Sequence, residues 1–319
     1  MSSTARTTER AALAALAAAL VAVPLTGSAY LTNLSIVVAL HALPAIGLSL
    51  LMGYTGQISI GHAAFYGLGA YASALFALRL GVDPWLAIAA AAALVGAIAW
   101  ALGWVIFRLR GHHLAVATLA LGIIVYVGFV EMRGLTGGPN GLSGIPPLSV
   151  PGLALDSDFR FYPVAWAVCL TGVLLATRLI DAPLGLAMRA IRESERGAEA
   201  LGTDVVALKR RILVVSAVFA AVAGGLYAHY IGFVSPQPFG VGFSIRLIVM
   251  VAVGGFASVW GALFGAAFVT LIGEPLQKLG HFDVIAYGLL LVVVMVFFPQ
   301  GILRELGRWR RARVRATAA

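Results

Sequence analysis

The sequence predicts an all-α, polytopic membrane protein, and two observations support that prediction. Of the 319 residues, 61% are hydrophobic and only 11% are charged, and the mean hydropathy is +0.97. A soluble globular protein is about 45–50% apolar and about 25% charged, so this chain has too little polar surface for a water-soluble body of its size. The apolar residues also fall in runs of about 20, the length an α-helix needs to cross a hydrocarbon core of about 30 Å.

Seven apolar runs each have the length of one membrane-spanning helix. They are residues 11–30, 34–52, 85–107, 113–130, 162–180, 211–233 and 283–299. An eighth run, residues 57–78, is long enough to span but is interrupted by glycine and polar residues. Residues 1–29 resemble a signal peptide, but the number of spans that follow favours an uncleaved first helix.

The placement of arginine and lysine predicts the orientation, because short cytoplasmic loops carry the excess of these residues. With the N-terminus inside, residues 181–211 (the inner loop, with six Lys and Arg) fall in the cytoplasm. Residues 131–161 (the outer loop), with only Arg133 and Arg160, fall outside the cell. Its stretch 135–152 is rich in Gly and Pro, so we expect this stretch to be an ordered, non-helical cap.

Residues 243–277 are too long for one span and short for two full ones. A single crossing would leave the basic tail 304–319, with its six arginines, outside the cell, against the charge rule. We therefore predict a re-entrant or short helical hairpin that bends around Gly254-Gly255 to Gly261. The whole chain is then one transmembrane domain of eight spans plus this hairpin, or ten spans if both arms cross, with both termini in the cytoplasm.

The inner loop contains the stretch PLGLAMRAIRESERGAEALGTDVVALKRR, residues 183–211. Pro183 can open a helix and Gly202 is placed to end it, after which Thr203 or Asp204 can cap the next span. An apolar stripe along this helix consists of Met188, Ile191, Ala198 and Leu201. The pattern predicts an amphipathic helix along the membrane surface. Periodicity leaves open whether its charged face is only solvated or docks on a cytosolic partner.

The stretch GYTGQISIGHAAFYGLGAY, residues 53–71, places five glycines and several polar side chains between two apolar runs. Glycines let helices approach closely and let the backbone break, and a broken helix can direct polar groups into a central cavity. Candidate residues of a translocation pathway are Gly53, Gln57, Ser59, Gly61 and His62. The alternative is that the glycines serve tight packing, with Gln57 and His62 joining neighbouring helices.

Several other functions find no support in the sequence. The net charge of +9 comes from arginines between and beyond the apolar runs, a placement typical of topology and of contact with anionic lipid rather than nucleic acid. The single cysteine excludes an internal disulfide, and the histidines lack metal-ligand spacing. There is no G-x-x-x-x-G-K-[ST] loop for a nucleotide and no cluster of acid, base and nucleophile for catalysis.

Four blocks resemble the membrane subunits of bacterial ATP-binding-cassette importers, and within them the LivM-type permeases for branched-chain amino acids. In chain order they are GYTGQISIGHAAFYGLGAY (53–71), RLRGHHLAVATLALG (108–122) with LTGGPNGL (135–142), GLAMRAIRESERGAEALGTDVVALK (185–209) and SIRLIVMVAVGGFASVWGALFGA (244–266). The closing FFPQGI (297–302) is similar as well. The resemblance reaches from about residue 40 to 303, with the blocks in the order typical of the family.

The resemblance implies that the inner loop is the coupling loop of such an importer. The residues that would contact the ATPase are Arg189, Arg192, Glu193, Arg196, Glu199, Ala200 and Gly202. The implied partners are cytosolic ATP-binding-cassette subunits, a second related permease subunit and an extracytoplasmic solute-binding protein. ATP and magnesium would bind the ATPase subunits, so this chain would need no cofactor of its own, and the bacterial plasma (inner) membrane is the expected location.

Two other kinds of transport remain open from the residues alone. One is the same machine with urea, a short amide or another small solute as cargo, since the binding protein that selects the solute is a separate chain. The other is a secondary transporter driven by an ion gradient. That class should carry paired carboxylates within the membrane, whereas Glu131, Glu274 and Asp283 all fall near the ends of spans.

Overall fold

The computed structural model describes residues 23–109, 111–150, 153–277 and 283–297. In this part of the chain six helices are long and apolar enough to cross a membrane, which agrees with the predicted all-α polytopic class. Most of the predicted first span and the whole of the basic tail 304–319 lie outside the described residues.

The described residues form nine helices of 14 or more residues, and the first of them continues into a π-helical segment. They are α1 (Ala29–Leu48, continued by the π-helix Ser49–Tyr54), α2 (His62–Leu80), α3 (Pro84–Ile106), α4 (His112–Glu131), α6 (Asp158–Asp181), α9 (Val205–Ile231), α10 (Val241–Gly254), α11 (Val259–Gln277) and α12 (Asp283–Phe297). The short helices are α5 (Arg133–Thr136), α7 (Pro183–Glu193) and α8 (Glu195–Ala200). Four two-residue strands are β1 (Leu142–Ser143), β2 (Ser149–Val150), β3 (Leu153–Ala154) and β4 (Phe233–Val234).

Helix α9 lies at the centre of the bundle and packs against α1, α2 and α3. Small residues let these backbones approach closely: a Cβ on Gly69 would overlap the backbone of Ala221, and one on Gly224 would overlap the carbonyl of Tyr66. Helix α1 also packs against α6 and α11. The core is therefore built around α1 and α9, whereas α4 lies at the edge with few of its side chains buried.

Helices α10 and α11 form the hairpin that the sequence predicts. The chain turns between them at Gly255, whose φ of +98° lies in the region that glycine adopts without strain. Gly254 and Gly261 pack backbone to backbone, since a Cβ on either would overlap the carbonyl of the other. Helix α10 has 14 residues and is about 21 Å long, shorter than a hydrocarbon core of about 30 Å.

The described residues of the outer loop pack on the end of the bundle, although the short helix α5 enters the stretch predicted to be non-helical. Strand β1 pairs antiparallel with β4 at the end of α9, and β2 pairs with β3. Arg79 donates hydrogen bonds to the carbonyl oxygens of Gly134 and Leu135, and the Trp85 indole donates to Ser149. These bonds fix the loop to the ends of α2 and α3.

Two predicted boundaries are wrong. The run 57–78 begins as an irregular segment, and its helix starts only at His62. In this segment the Gln57 N–H donates to the Leu51 carbonyl oxygen and the Ile60 N–H donates to the Thr118 hydroxyl, so these donors bond to other elements. The inner loop holds two helices rather than one. Ser194 is extended and its hydroxyl caps α8 by accepting from the Gly197 N–H, so the chain changes direction there. Leu201 consequently leaves the predicted apolar stripe and is 84% exposed.

Candidate functional site

The irregular segment 55–61 (the helix break) carries the chain from the inner-loop end of α1 into the protein interior. At its end, the Nε2 atom of His62 lies 2.6 Å from the hydroxyl of Ser216. Ser216 is 11 residues beyond the start of α9, or about 16 Å along that helix. Helix α2 therefore begins well inside the bundle rather than at its surface.

Hydroxyl groups from two other helices accept hydrogen bonds from one N–H in the first turn of α2 and one N–H just before this helix. Ser244 of α10 accepts a hydrogen bond from the Ala63 N–H at 3.1 Å, and Thr118 of α4 accepts from the Ile60 N–H at 3.0 Å. A helix N-terminus carries a partial positive charge, and at depth in a membrane protein it is a place where an anionic group is favoured.

The five candidate pathway residues are all buried. Gly53 and Gly61 are backbone contact points, because a Cβ on Gly53 would overlap Phe256 and one on Gly61 would overlap Thr118. The Ser59 hydroxyl lies 3.3 Å from Nδ1 of His62. These contacts fit the packing alternative in this conformation, and the pathway role of the five residues stays a prediction.

The seven candidate coupling residues share one property: all of them are exposed. The inner loop places its apolar residues on the opposite side, where Met188 of α7 and Ala198 of α8 are buried. Gly202 follows α8 with a φ of +82°, and the Asp204 side chain caps α9 by accepting from the Ala207 N–H, as the sequence predicts. The inner loop thus presents a charged face, and its role in coupling stays a prediction.

Two contacts join the inner loop directly to the helix break and its flanks. The Nη1 atom of Arg192 donates a hydrogen bond of 2.6 Å to the carbonyl oxygen of Gly53. The Gln57 side chain donates to Glu195 at 3.3 Å. Glu195 also forms an ion pair with Lys209 of α9, whose side chain is almost fully buried. A displacement of α7 and α8 would therefore act on the end of α1 and the start of α9 together.

The same region also contacts the turn of the α10–α11 hairpin. The Ser49 hydroxyl donates a hydrogen bond of 2.8 Å to the Phe256 carbonyl oxygen, beside the close approach of Gly53 to the same residue. Ser49 and Gly53 both lie in the π-helical end of α1, a type of turn that is frequent at functional sites.

Sequence reasoning missed several partners in this site. Glu195 and Lys209 are separated by the end of α8 and the start of α9, so no helical spacing relates them. Ser216 and Ser244 gave a weak signal as lone hydroxyl residues in the apolar stretches ILVVSAVF and VGFSIRL. Among the described residues no group of three or more His, Cys, Asp or Glu side chains could hold a metal ion.

Residues 30–299 match the family of permease components of branched-chain amino acid transport systems. The chain belongs to this family. It is similar to the high-affinity branched-chain amino acid transport system permease protein LivM of Escherichia coli K12, with 30% identity over 91% of this chain and 74% of that protein. The predicted family resemblance is thereby confirmed, and the chain is a transport permease subunit.

Related permeases of two other names also match. LivH of Salmonella typhimurium is 28% identical over 82% of this chain and 91% of its own length. BraD of Pseudomonas aeruginosa is 27% identical over 82% of this chain and 91% of its own length. Both names describe permease proteins of high-affinity branched-chain amino acid transport systems. No solved structure matches the permease.

Proposed function

We propose that this permease is a membrane subunit of an ATP-driven importer and that its inner loop receives the motion of a cytosolic ATPase. The observation that supports this proposal best is the hydrogen bond from Arg192 to the Gly53 carbonyl oxygen. It joins a loop with an exposed charged face to the broken, buried end of a central helix. If the inner loop only contacted water, a hydrogen bond from it to the buried end of a central helix would have no role in transport.

In this mechanism, closure of the ATPase subunits around ATP pushes α7 and α8. Arg192 transmits the displacement to the end of α1, and Glu195 transmits it to Lys209 on α9. The close contact of Gly53 with Phe256 passes the movement to the turn of the α10–α11 hairpin. The cavity formed with a second related permease subunit then changes its access from outside to inside.

The proposed cargo is a branched-chain amino acid delivered by an extracytoplasmic binding protein. The names of the related permeases support this cargo class. A zwitterion needs a partner for its carboxylate, and the buried N-terminus of α2 offers one if the Ser244 hydroxyl moves away from the Ala63 N–H. An apolar side chain would find the apolar walls of the neighbouring helices.

The remaining parts of the machine follow from this proposal. ATP and magnesium bind the ATPase subunits, and the permease lies in a bacterial plasma membrane with both termini in the cytoplasm. The six Lys and Arg of the inner loop support that orientation, because short basic loops stay on the cytoplasmic side.

The test is to purify the permease in mild detergent together with its co-expressed partner subunits and to assay the ATPase activity of the complex. Binding proteins loaded with leucine, isoleucine or valine should stimulate that activity, whereas the same proteins without ligand should not. Stimulation only by a urea- or amide-loaded protein would keep the importer and change the cargo. Absence of an ATPase partner, together with uptake that persists after ATP depletion, would overturn the proposal in favour of a gradient-driven transporter.

A further inference from the structure

Arg210 lies in the second turn of α9, at the end of the bundle that carries the inner loop. Only 8% of the Arg210 surface is exposed, whereas the next residue of the helix, Arg211, is exposed. The guanidinium carbon lies 3.9 Å from the ring centre of Trp100 and 4.3 Å from that of Trp104, both on α3. The two indoles attract the cation and shield its faces from water.

No described residue accepts a hydrogen bond from this guanidinium. Its Nε–H is buried without a partner, while Lys209, the preceding residue, has the carboxylate of Glu195. An arginine carries five N–H donors in one plane, and contact with aromatic faces leaves that donor edge unsatisfied. A buried N–H donor without an acceptor is costly, so the Nε–H favours an acceptor supplied from outside the described residues.

Helix α3 is shaped to hold the arginine in this position. Gly103 lies between the two tryptophans, and a Cβ there would come within 2.7 Å of Cγ and 3.3 Å of Cδ of Arg210. The absence of a side chain at this position lets the arginine stem lie across α3 and brings its head between the indoles. Three residues of one helix thus form a seat for one cation.

The site formed by Trp100, Gly103 and Trp104 lies at the edge of the bundle, and its exposed residues are of the types found at a membrane interface. Trp100 and Trp104 are 41% and 56% exposed, and tryptophan is enriched at the level of lipid headgroups. Exposed Arg108 and Arg211 flank the same end of α3 and α9. Three cations beside two exposed indoles attract an anion that approaches from the lipid side.

We propose that Arg210, Trp100 and Trp104 form a binding site for the phosphate of an anionic phospholipid. The donor edge of Arg210 binds the phosphate oxygens, and the two indoles contact the region between headgroup and acyl chains. Arg108 and Arg211 add attraction for a lipid with net negative charge, so the site selects phosphatidylglycerol or cardiolipin over phosphatidylcholine. This site does not depend on the identity of the transported solute.

The first test measures lipid binding to the full-length permease by native mass spectrometry with phosphatidylglycerol as the probe. Arg210→Gln should raise the apparent Kd at least fivefold. Arg178→Gln is the matched control, because it removes the same charge from an exposed position at the inner-loop end of α6, outside the proposed site, and it should change the Kd less than twofold. Equal effects of the two substitutions would mean that only overall charge matters and would overturn the site.

The second test compares two lipids with the unaltered protein first, so its main outcome does not depend on how the variants fold. Nanodiscs containing brominated phosphatidylglycerol should quench tryptophan fluorescence more than nanodiscs with the same fraction of brominated phosphatidylcholine. The excess should disappear in the Trp100→Phe/Trp104→Phe variant. Equal quenching by both lipids would contradict the proposal. So would an Arg210→Gln variant that binds phosphatidylglycerol normally but loses the second permease subunit, since the acceptor would then be protein.

Discussion

Gly53 and Gly61 stand where another backbone comes too close for a side chain. Gly53 meets the carbonyl of Phe256 at the hairpin turn, and Gly61 meets that of Thr118 on α4. The first contact carries the proposed movement from α1 to the hairpin, and the second fixes the start of α2. Neither Gly53 nor Gly61 has a positive φ, so the close approach of the other backbone is the reason why each position needs a glycine.

The substitution Gly53→Ala should destabilise the permease, because its Cβ would overlap the Phe256 carbonyl. Overpacking a close-packed interior costs about 1–3 kcal/mol. The midpoint of thermal unfolding in detergent should fall clearly. Gly128→Ala is the matched control, since a Cβ there meets nothing within 4 Å, and its midpoint should not fall. Equal midpoints for both variants would contradict this account of Gly53.

The ion pair of Glu195 with Lys209 is the second residue-scale feature, and it joins the inner loop to α9. Lys209 has only 2% of its side chain exposed, whereas Glu195 has 25% exposed. Removal of one partner of a buried ion pair costs about 3–5 kcal/mol, because the other charge is left without compensation. The partial exposure of Glu195 places the expected cost at the lower end of that range.

Glu195→Gln should therefore lower the unfolding midpoint much more than Glu193→Gln, which removes the same charge from an exposed position of the same loop. The double variant Glu195→Gln/Lys209→Met should recover most of the loss, because the buried charge is then gone. A Glu195→Gln midpoint equal to that of Glu193→Gln would show that the pair contributes nothing to stability.

At the scale of elements, α7 and α8 act as one support with two faces. Their buried apolar residues pack on the bundle, and their charged residues other than Glu195 are exposed. The break at Ser194 lets Arg192 bond to α1 while Glu195 bonds to α9. A single straight helix, as the periodicity predicts, would not direct both side chains to these partners.

Glu199→Arg should uncouple transport without preventing membrane insertion, because it reverses the charge on the face expected to dock on the ATPase. A like-charge contact at that interface should reduce ATP-driven uptake to about a tenth of the unaltered level, equivalent to about 1.4 kcal/mol. The control is Glu131→Arg, the same change at the exposed far end of α4, with uptake unchanged. Normal uptake by the Glu199→Arg variant would contradict the docking role of this face.

At the scale of the whole molecule, orientation can be tested with introduced cysteines. The native Cys169 is fully buried and should not react. A membrane-impermeant maleimide added to intact cells should label Val150→Cys in the outer loop. It should label Leu201→Cys in the inner loop only after lysis, since both positions are exposed in the structure. The reverse pattern would invert the proposed topology.

The sequence predicts the helical class and the hairpin well, because both follow from local signals. Apolar run length predicts the spans, and six arginines in the tail together with Gly254 and Gly255 predict the turn back. The start of α2 could not be predicted, since it depends on hydroxyls from Ser216 and Ser244 on distant helices.

The connection between the inner loop and the helix break was also beyond sequence reasoning. Arg192 and Gly53 are 139 residues apart, and their bond joins a side chain to a backbone carbonyl that leaves no trace in the sequence. Individual residues such as Gly53 and Arg192 could be selected as candidates from their type and place. That Arg192 and Gly53 are in contact is visible only in the folded structure.

The most direct test of the account is the number of leucine molecules imported per ATP hydrolysed, measured in proteoliposomes that contain the complete transporter. Arg192→Ala removes the hydrogen bond to Gly53, and Arg192→Lys keeps the charge. The account predicts that the alanine variant still assembles with the ATPase and hydrolyses ATP. Its import per ATP should fall to about a tenth or less, because a charge-assisted hydrogen bond contributes roughly 1.5 kcal/mol or more. The lysine variant should recover part of the import. Unchanged import per ATP in the alanine variant would contradict the claim that the inner loop drives the helix break.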